Sequence, residues 1–313
     1  MDRQKLLVLA PNAGLYFPLL QELSNDGVEV STAETLEFAL EFASGYPVIL
    51  GHPDLVVKFL AVHPRVDWVQ STWAGVTPLL AMGRHDFLLS GIKNTFGPQI
   101  AEYVLAYLLA HELKLLERLG RQAHRDWWSE PSGTLAGKTM GVMGTGSIGH
   151  YVATMASVFG IRVVGLNRSG RAVDGFETVY PVERLPEFLS GLDYLVCTLP
   201  ETMATRGLLD ERAFAAIRPG CYLVNVGRGS TIDEAALLET LHDGRLSGAL
   251  LDVFCEEPLA SDSPLWHAPE TLITAHVAAK SHPADIAKIF VANYRRYSKG
   301  KKLNYLVDFD RGY

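Results

Sequence analysis

From Lys138 onward the chain alternates between short, almost wholly apolar runs and stretches in which apolar residues return every three or four positions. The runs Thr139–Met143, Arg162–Leu166, Tyr194–Thr198, Tyr222–Val226, Gly248–Val253 and Leu272–Thr274 predict strands buried on both faces, because they lack a polar face. The periodic stretches Ile148–Phe159, Val182–Leu189, Asp210–Ile217 and Asp233–Leu241 predict the helices between them. Strands alternating with helices in this way give a parallel sheet covered by helices on both faces.

The first 97 residues carry a second, shorter alternation. Leu6–Ala10, Val48–Gly51 and Val66–Gln70 predict strands, the last interrupted by Asp67, with helices over Glu34–Phe42 and Leu55–Val62. A long apolar-periodic helix is expected from Pro98 to Leu119, opened by Gly97-Pro98, since proline suits a first helical turn. Another is expected from Ser281-His282-Pro283 to about Lys299. The pattern predicts an α/β protein of two doubly wound, Rossmann-like parallel-sheet domains joined by two crossings. One would comprise residues 1–97 plus 281–313, the other residues 98–280.

At 313 residues and 48% hydrophobic content the chain has enough apolar material for two cores. A net charge of −7 argues against nucleic acid and anionic membrane as partners. The one basic cluster (Arg295, Arg296, Lys299, Lys301, Lys302) suits the end of a helix. Met1-Asp2-Arg3 leads into an apolar stretch too short for a signal segment, and no run of 18 apolar residues predicts a membrane span. The three cysteines Cys197, Cys221 and Cys255 lie far apart in or beside apolar runs, which predicts buried thiols in a reducing cytoplasm. The histidines show neither HExxH nor a cluster with cysteine, so no metal site is expected, and no GxSxG elbow is present.

The segment Gly144-Thr145-Gly146-Ser147-Ile148-Gly149 follows a predicted strand and opens a predicted helix. Gly144 permits a tight turn, Gly146 a close approach of backbone to pyrophosphate, and Gly149 close packing of helix on strand. Ser147 and Ile148 then present unpaired N–H groups to the phosphates. At the end of the next strand, an NAD site places a carboxylate for the ribose hydroxyls. Here stand Asn167-Arg168-Ser169 with Arg171 beyond them, donors and cations that suit a 2′-phosphate, so NADP is preferred and NAD remains possible. The alternative is that Arg168 and Arg171 are surface residues beside a permissive site.

Three further residues follow predicted strands at the sheet edge where ligands bind in open α/β sheets: Arg228 in Val226-Gly227-Arg228-Gly229, Glu257 in Glu256-Glu257-Pro258, and His276 in Thr274-Ala275-His276. Alone, the arginine would pass for a clamp and the histidine for a core residue. Together they supply an anion-holding cation and an imidazole whose protonated form a carboxylate favours and orients.

These motifs resemble the D-isomer-specific 2-hydroxyacid dehydrogenase family over nearly the whole chain. The matches are the glycine turn, Leu199-Pro200 with Thr205, Val226 through Gly229 with Ile232-Asp233, Leu251-Asp252-Val253-Phe254 leading to Glu257-Pro258-Leu259, and Thr274-x-His276. Within the family the chain is most similar to the bacterial subgroup that reduces glyoxylate and hydroxypyruvate, down to Arg311-Gly312-Tyr313. The resemblance implies NADP-dependent reduction of small 2-keto acids to D-2-hydroxy acids. Arg228 would hold the substrate carboxylate and carbonyl, His276 would be the acid/base, Glu257 its partner, and Asp252 would orient the nicotinamide carboxamide. Leu199, Pro200, Thr205 and Val226 would line the cofactor groove, and the loop Trp73-Ala74-Gly75-Val76 would hold the substrate carboxylate through backbone N–H groups. Trp73 would either restrict the pocket or be a plain core aromatic. A homodimer through the helix from Pro98 is implied, and no regulatory domain after residue 313 is expected. The chain departs from the common pattern at Asn167, where aspartate is usual, at Met203, where proline is frequent, and in a short Gly97–Glu102 segment. The other readings are a non-catalytic dinucleotide-sensing protein of the corepressor type and an NAD-dependent D-2-hydroxyacid dehydrogenase of another substrate range.

Overall fold

The computed structural model describes residues 4–310 and 312, so Arg311 and Tyr313, and the opening Met1-Asp2-Arg3, lie outside the described residues. The chain forms two compact units, one of residues up to Thr95 together with Ser281 onward, the other Phe96–Lys280.

The first unit runs β1 (Lys5–Leu9), α1 (Gln21–Asn25), β2 (Glu29–Ala33), α2 (Leu36–Phe42), β3 (Val48–Gly51), α3 (Pro53–Val62), β4 (Trp68–Ser71), α4 (Thr77–Leu80) and β5 (Leu88–Ser90). The strands pair in the order β2-β1-β3-β4-β5, all parallel. Leu7 and Leu9 of β1, Ile49 of β3, and Val69 of β4 enter one apolar core with Phe59 and Leu60 of α3. The strand expected at Val66–Gln70 instead occupies Trp68–Ser71; Asp67 sits at its mouth and accepts the Tyr297 hydroxyl at 2.9 Å.

The second unit runs α5 (Gly97–Glu112), α6 (Leu115–Ala123), β6 (Thr139–Met143), α7 (Ser147–Val158), β7 (Arg162–Asn167), β8 (Thr178–Pro181), α8 (Leu185–Leu189), β9 (Tyr194–Cys197), α9 (Glu211–Ala216), β10 (Cys221–Asn225), α10 (Glu234–His242), β11 (Leu246–Leu251) and β12 (Thr271–Ile273). Its seven strands are ordered β12-β11-β10-β9-β6-β7-β8, again all parallel. Strand order reverses between β6 and β9, the kind of switch point at which crevices open in doubly wound sheets. The helix expected from Pro98 to Leu119 is two helices. Lys114 takes a left-handed conformation (φ 51°), and the freed carbonyls of Leu113 and Glu112 accept from Arg118 Nε and the Gly133 amide, each at 2.8 Å.

The chain then returns to the first unit as α11 (Pro283–Tyr297). A buried polar network fixes it there. Asn293 donates to Gln70 Oε1 at 3.0 Å, Gln70 donates to the Gly91 carbonyl at 2.7 Å, and Trp68 Nε1 donates to Ser90 Oγ at 2.7 Å. Phe290 stacks on Trp68 at 5.0 Å and 10°. Buried polar groups that all find partners cost little and specify one arrangement. Among the described residues no helix is long and apolar enough to cross a membrane. Cys197 and Cys221 are buried as expected, but Cys255 is exposed, because it follows β11 in a loop rather than lying in the sheet.

Candidate active site

The glycine turn joins β6 to α7. Gly144 has φ +102°, and a Cβ on Gly149 would collide with the Gly144 carbonyl, so helix and turn touch at backbone distance. By contrast nothing lies within 4 Å of where a Cβ on Gly146 would be, which leaves the N-terminus of α7 open above Ser147 and Ile148. Backbone N–H groups at such a terminus have no partner within the helix and suit an anion. The turn therefore fits a dinucleotide pyrophosphate.

At the end of β7, Asn167 is already engaged. Its Nδ2 donates to Thr145 Oγ1 at 3.0 Å and to the Arg171 carbonyl at 2.9 Å, while its Oδ1 accepts from the Ser169 amide at 3.1 Å. Asn167 thus shapes the 167–171 loop with its side-chain amide. Arg168 and Arg171 are exposed. The loop after β9 is braced by Thr205, whose Oγ1 donates to the Pro200 carbonyl at 2.7 Å and accepts from the Thr202 amide at 2.9 Å. Leu199 contributes backbone to this loop, and Val226 begins the next one.

Register brings the remaining groups together. Asn225 of β10 pairs with Leu251 of β11, which pairs with Ile273 of β12, so the loops carrying Arg228, Glu257 and His276 leave three neighbouring strands at one edge. Arg228 is flanked by Gly227 and Gly229. A Cβ on Gly227 would lie 2.9 Å from the Leu199 carbonyl oxygen, and one on Gly229 would strike the Phe254 backbone. Burial lowers the Arg228 pKa from its ordinary value, and the carboxylates of Glu201 and Glu257 push it back up. A guanidinium drawn out of water beside carboxylates is poised for an anionic ligand.

His276 Nδ1 lies 2.8 Å from Glu257 Oε2, and Glu257 Oε1 accepts from the Phe254 amide at 3.0 Å. The His276 backbone is left-handed (φ 53°) and its amide donates to the Asp252 carbonyl at 2.8 Å. The Asp252 side chain, almost fully buried, holds the rest of that loop: Oδ1 accepts from the Val277 amide at 2.9 Å and from Thr274 Oγ1 at 2.6 Å, and Oδ2 from the Ala278 amide at 3.0 Å. Its oxygens are therefore already committed to the loop that carries His276.

Residues that no motif marks complete this edge. Asn225, buried, accepts the Gly227 amide and donates to the Arg228 carbonyl, each at 3.1 Å, and so sets the arginine loop. Tyr103 of α5 shares a 2.5 Å hydrogen bond with Thr274 Oγ1. Glu201 is ion-paired with Arg206 while acting on Arg228. A buried asparagine at a strand end was the only signal available in sequence, and only for Asn225.

Trp73, Ala74, Gly75 and Val76 belong to the other unit, in the turn after β4. Ser71 Oγ accepts the Trp73 amide at 3.0 Å and donates to the Trp73 carbonyl at 2.7 Å, whereas the amides of Ala74, Gly75 and Val76 donate to no described acceptor. Val76 is buried, but the Trp73 side chain is 47% exposed, so it is not a core aromatic.

Residues 105–278 match the family model of the D-isomer specific 2-hydroxyacid dehydrogenase NAD binding domain. Glyoxylate/hydroxypyruvate reductase A from Serratia proteamaculans is 34% identical over 264 residues, spanning 82% of this chain and 84% of that protein. Among solved structures, a D-isomer specific 2-hydroxyacid dehydrogenase family protein from Aeromonas salmonicida superposes with a TM-score of 0.94 at 38% identity, covering 99% of this chain and all of the other. An NADPH-dependent glyoxylate/hydroxypyruvate reductase from Sinorhizobium meliloti, in complex with NADP and sulfate, superposes with a TM-score of 0.85 at 29% identity, covering 99% and 100%. With an open glycine turn, an arginine loop and a carboxylate-backed histidine along one sheet edge, and with these likenesses over nearly its whole length, the chain belongs to the D-isomer-specific 2-hydroxyacid dehydrogenase family and is an oxidoreductase.

Proposed function

We propose that this enzyme uses NADPH to reduce small 2-keto acids, glyoxylate and hydroxypyruvate first among them, to D-2-hydroxy acids. The observation that carries the proposal is the Arg228, Glu257 and His276 constellation in the loops that leave three adjacent parallel strands. The names of the Serratia and Sinorhizobium relatives support the substrate class, and the NADP bound to the latter supports the cofactor.

Bound NADPH supplies the hydride. The Gly144–Gly149 turn and the first amides of α7, at Ser147 and Ile148, would hold its pyrophosphate, with Leu199, Pro200, Thr205 and Val226 along the groove. Arg168, Arg171 and Ser169 would face the 2′-phosphate from a loop that Asn167 shapes. Arg228 grips the substrate carboxylate and draws electron density toward the carbonyl oxygen. His276, protonated on both nitrogens with Nδ1–H held by Glu257, releases the Nε2 proton to the oxygen that becomes the hydroxyl. Glu257 keeps its contact with Nδ1 and so fixes the tautomer left behind. Asp252 acts by holding the His276 loop in place. In the other unit, the amides of Ala74, Gly75 and Val76 are assigned to the substrate carboxylate.

Following absorbance at 340 nm with NADPH or NADH and a panel of 2-keto acids tests this. Glyoxylate and hydroxypyruvate should turn over with NADPH the better cofactor; no turnover of any acid would refute the reading. A homodimer is also proposed. Its expected helix ends in α6, where Leu115, Leu116 and Leu119 are each more than 40% exposed and Trp127, just beyond, is 95% exposed. Light scattering of the wild type beside Leu116→Glu checks that surface, and the variant should dissociate.

A further inference from the structure

His52 directly follows β3, and Trp73 lies two residues past the end of the neighbouring β4, whose last register pair is Gly51–Ser71. The rings meet edge to face with centroids 4.4 Å apart. His52 is anchored by its amide, which donates to the Leu9 carbonyl at 2.8 Å, and the Thr72 amide ties the second loop to the Gly51 carbonyl at 3.0 Å. Among the described residues neither imidazole nitrogen finds a hydrogen-bond partner. Nδ1 is sealed from solvent and lies 3.9 Å from Asp54 Oδ2, so Nε2 is the nitrogen left open. Burial lowers the His52 pKa, against the pull of Asp54. A neutral imidazole whose proton sits on Nδ1, toward Asp54, presents a lone pair at Nε2.

We infer that the His52–Trp73 pair reads the substituent on C3 of the substrate, with Nε2 of His52 accepting a hydrogen bond from a hydroxyl there and the Trp73 ring limiting its length. The inference rests on the proposed function, in which the amides directly after Trp73 hold the substrate carboxylate. With the carboxylate on those amides, the next carbons of a short keto acid come within reach of the Trp73 ring and the imidazole behind it. The fitting ligand is a three-carbon 2-keto acid with a C3 hydroxyl, of which hydroxypyruvate is the simplest. Pyruvate, the same acid without the hydroxyl, leaves Nε2 unpartnered, and 2-ketovalerate adds carbon that the indole excludes. A site that hydrogen-bonds a hydroxyl discriminates against the analogue lacking it, and steric exclusion adds a second filter.

The test measures kcat/KM with NADPH for hydroxypyruvate, pyruvate and 2-ketovalerate in the wild type and in His52→Leu, His52→Gln and Trp73→Ala. His52→Leu should reduce the hydroxypyruvate-to-pyruvate ratio by about tenfold, the worth of one neutral hydrogen bond. His52→Gln, which keeps a polar acceptor, should recover much of that ratio. Trp73→Ala should raise 2-ketovalerate relative to hydroxypyruvate by roughly tenfold or more. An unchanged ratio in His52→Leu, or equal ratios in the leucine and glutamine variants, would overturn the role of His52 while leaving the proposed function standing. If the leucine variant does not fold, the glutamine and Trp73 variants decide: a wild-type preference against 2-ketovalerate in Trp73→Ala overturns the pair. A wild-type enzyme that reduces no 2-keto acid removes the proposed function and this inference together.

Discussion

Glu257 grips His276 with one oxygen and the Phe254 amide with the other, so the imidazole is tied through a single carboxylate to the backbone that follows β11. The tie holds Nδ1 and leaves Nε2 to face outward. Replacing the carboxylate by its isosteric amide in Glu257→Gln keeps a polar partner at the Phe254 amide but removes the charged acceptor that holds Nδ1. The expected result is a fall in kcat of about 10–100-fold with a smaller change in KM. His276→Ala should cost about 10²–10⁴-fold in kcat. Steady-state kinetics with glyoxylate and NADPH check both, and a His276→Ala enzyme with wild-type kcat/KM would remove the residue from the mechanism.

Arg228 should tolerate lysine poorly. The Arg228→Lys ammonium keeps the charge but loses the planar fork that meets carboxylate and carbonyl together. Its kcat/KM should fall at least about tenfold, and Arg228→Ala should fall much further, with KM and kcat both affected. Equal activity in the lysine variant and the wild type would show that charge alone suffices.

The loop that carries His276 hangs on Asp252 and Thr274, and Tyr103 completes the chain. Asp252→Ala strands the Val277 and Ala278 amides without acceptors. The Ala278 amide is the buried one of the two, and an unsatisfied buried donor costs about 1–3 kcal/mol, so urea unfolding should report a loss of about that size. Tyr103→Phe removes only the outermost link; it should leave stability within about 1 kcal/mol of the wild type and lower kcat more than it raises KM.

Exchanging cofactor preference should require more than one substitution. Asn167→Asp places a carboxylate where NAD sites have one, but a carboxylate cannot donate to the Arg171 carbonyl, so the 167–171 loop loses a brace. Its kcat/KM with NADPH should drop by more than its kcat/KM with NADH rises. Arg168→Ala together with Arg171→Ala should raise KM for NADPH about tenfold while leaving that for NADH nearly unchanged. Identical losses with the two cofactors would place these arginines away from the 2′-phosphate.

Cys255 is exposed yet its thiol is pushed up to about 11 by burial of the sulfur and by Glu234, so it stays protonated at neutral pH. Alkylation by iodoacetamide should be slow at pH 7.5 and quicken steadily as pH rises toward that value. Fast labelling at neutral pH would contradict the assigned environment.

The six strands named in the second unit were legible because β-branched and leucine runs buried on both faces stand out against their surroundings. Those that escaped, β2, β5 and β8, are all edge strands. An edge strand has a partner on one side only, and Glu29–Ala33 and Thr178–Pro181 are half-exposed and polar enough to pass for loops. The break at Lys114 was invisible for another reason: His111 to Leu119 contains no glycine or proline, and the left-handed residue is held by bonds from Arg118 and Gly133 that only tertiary structure supplies. The same holds at the site. Arg228, Glu257 and His276 stood in recognisable motifs, whereas Tyr103 and His52 matter through neighbours more than 20 residues away in the chain, or on an adjacent strand, which local pattern does not record.

The glycines on either side of Arg228 press its loop against the backbones of two others, at Leu199 and at Phe254. The address of the guanidinium is therefore written in three segments at once, and none of them drifts independently. An engineer who transplants one of these loops from a relative should expect a misplaced cation and a dead enzyme, whereas moving all three as a block should carry the activity along.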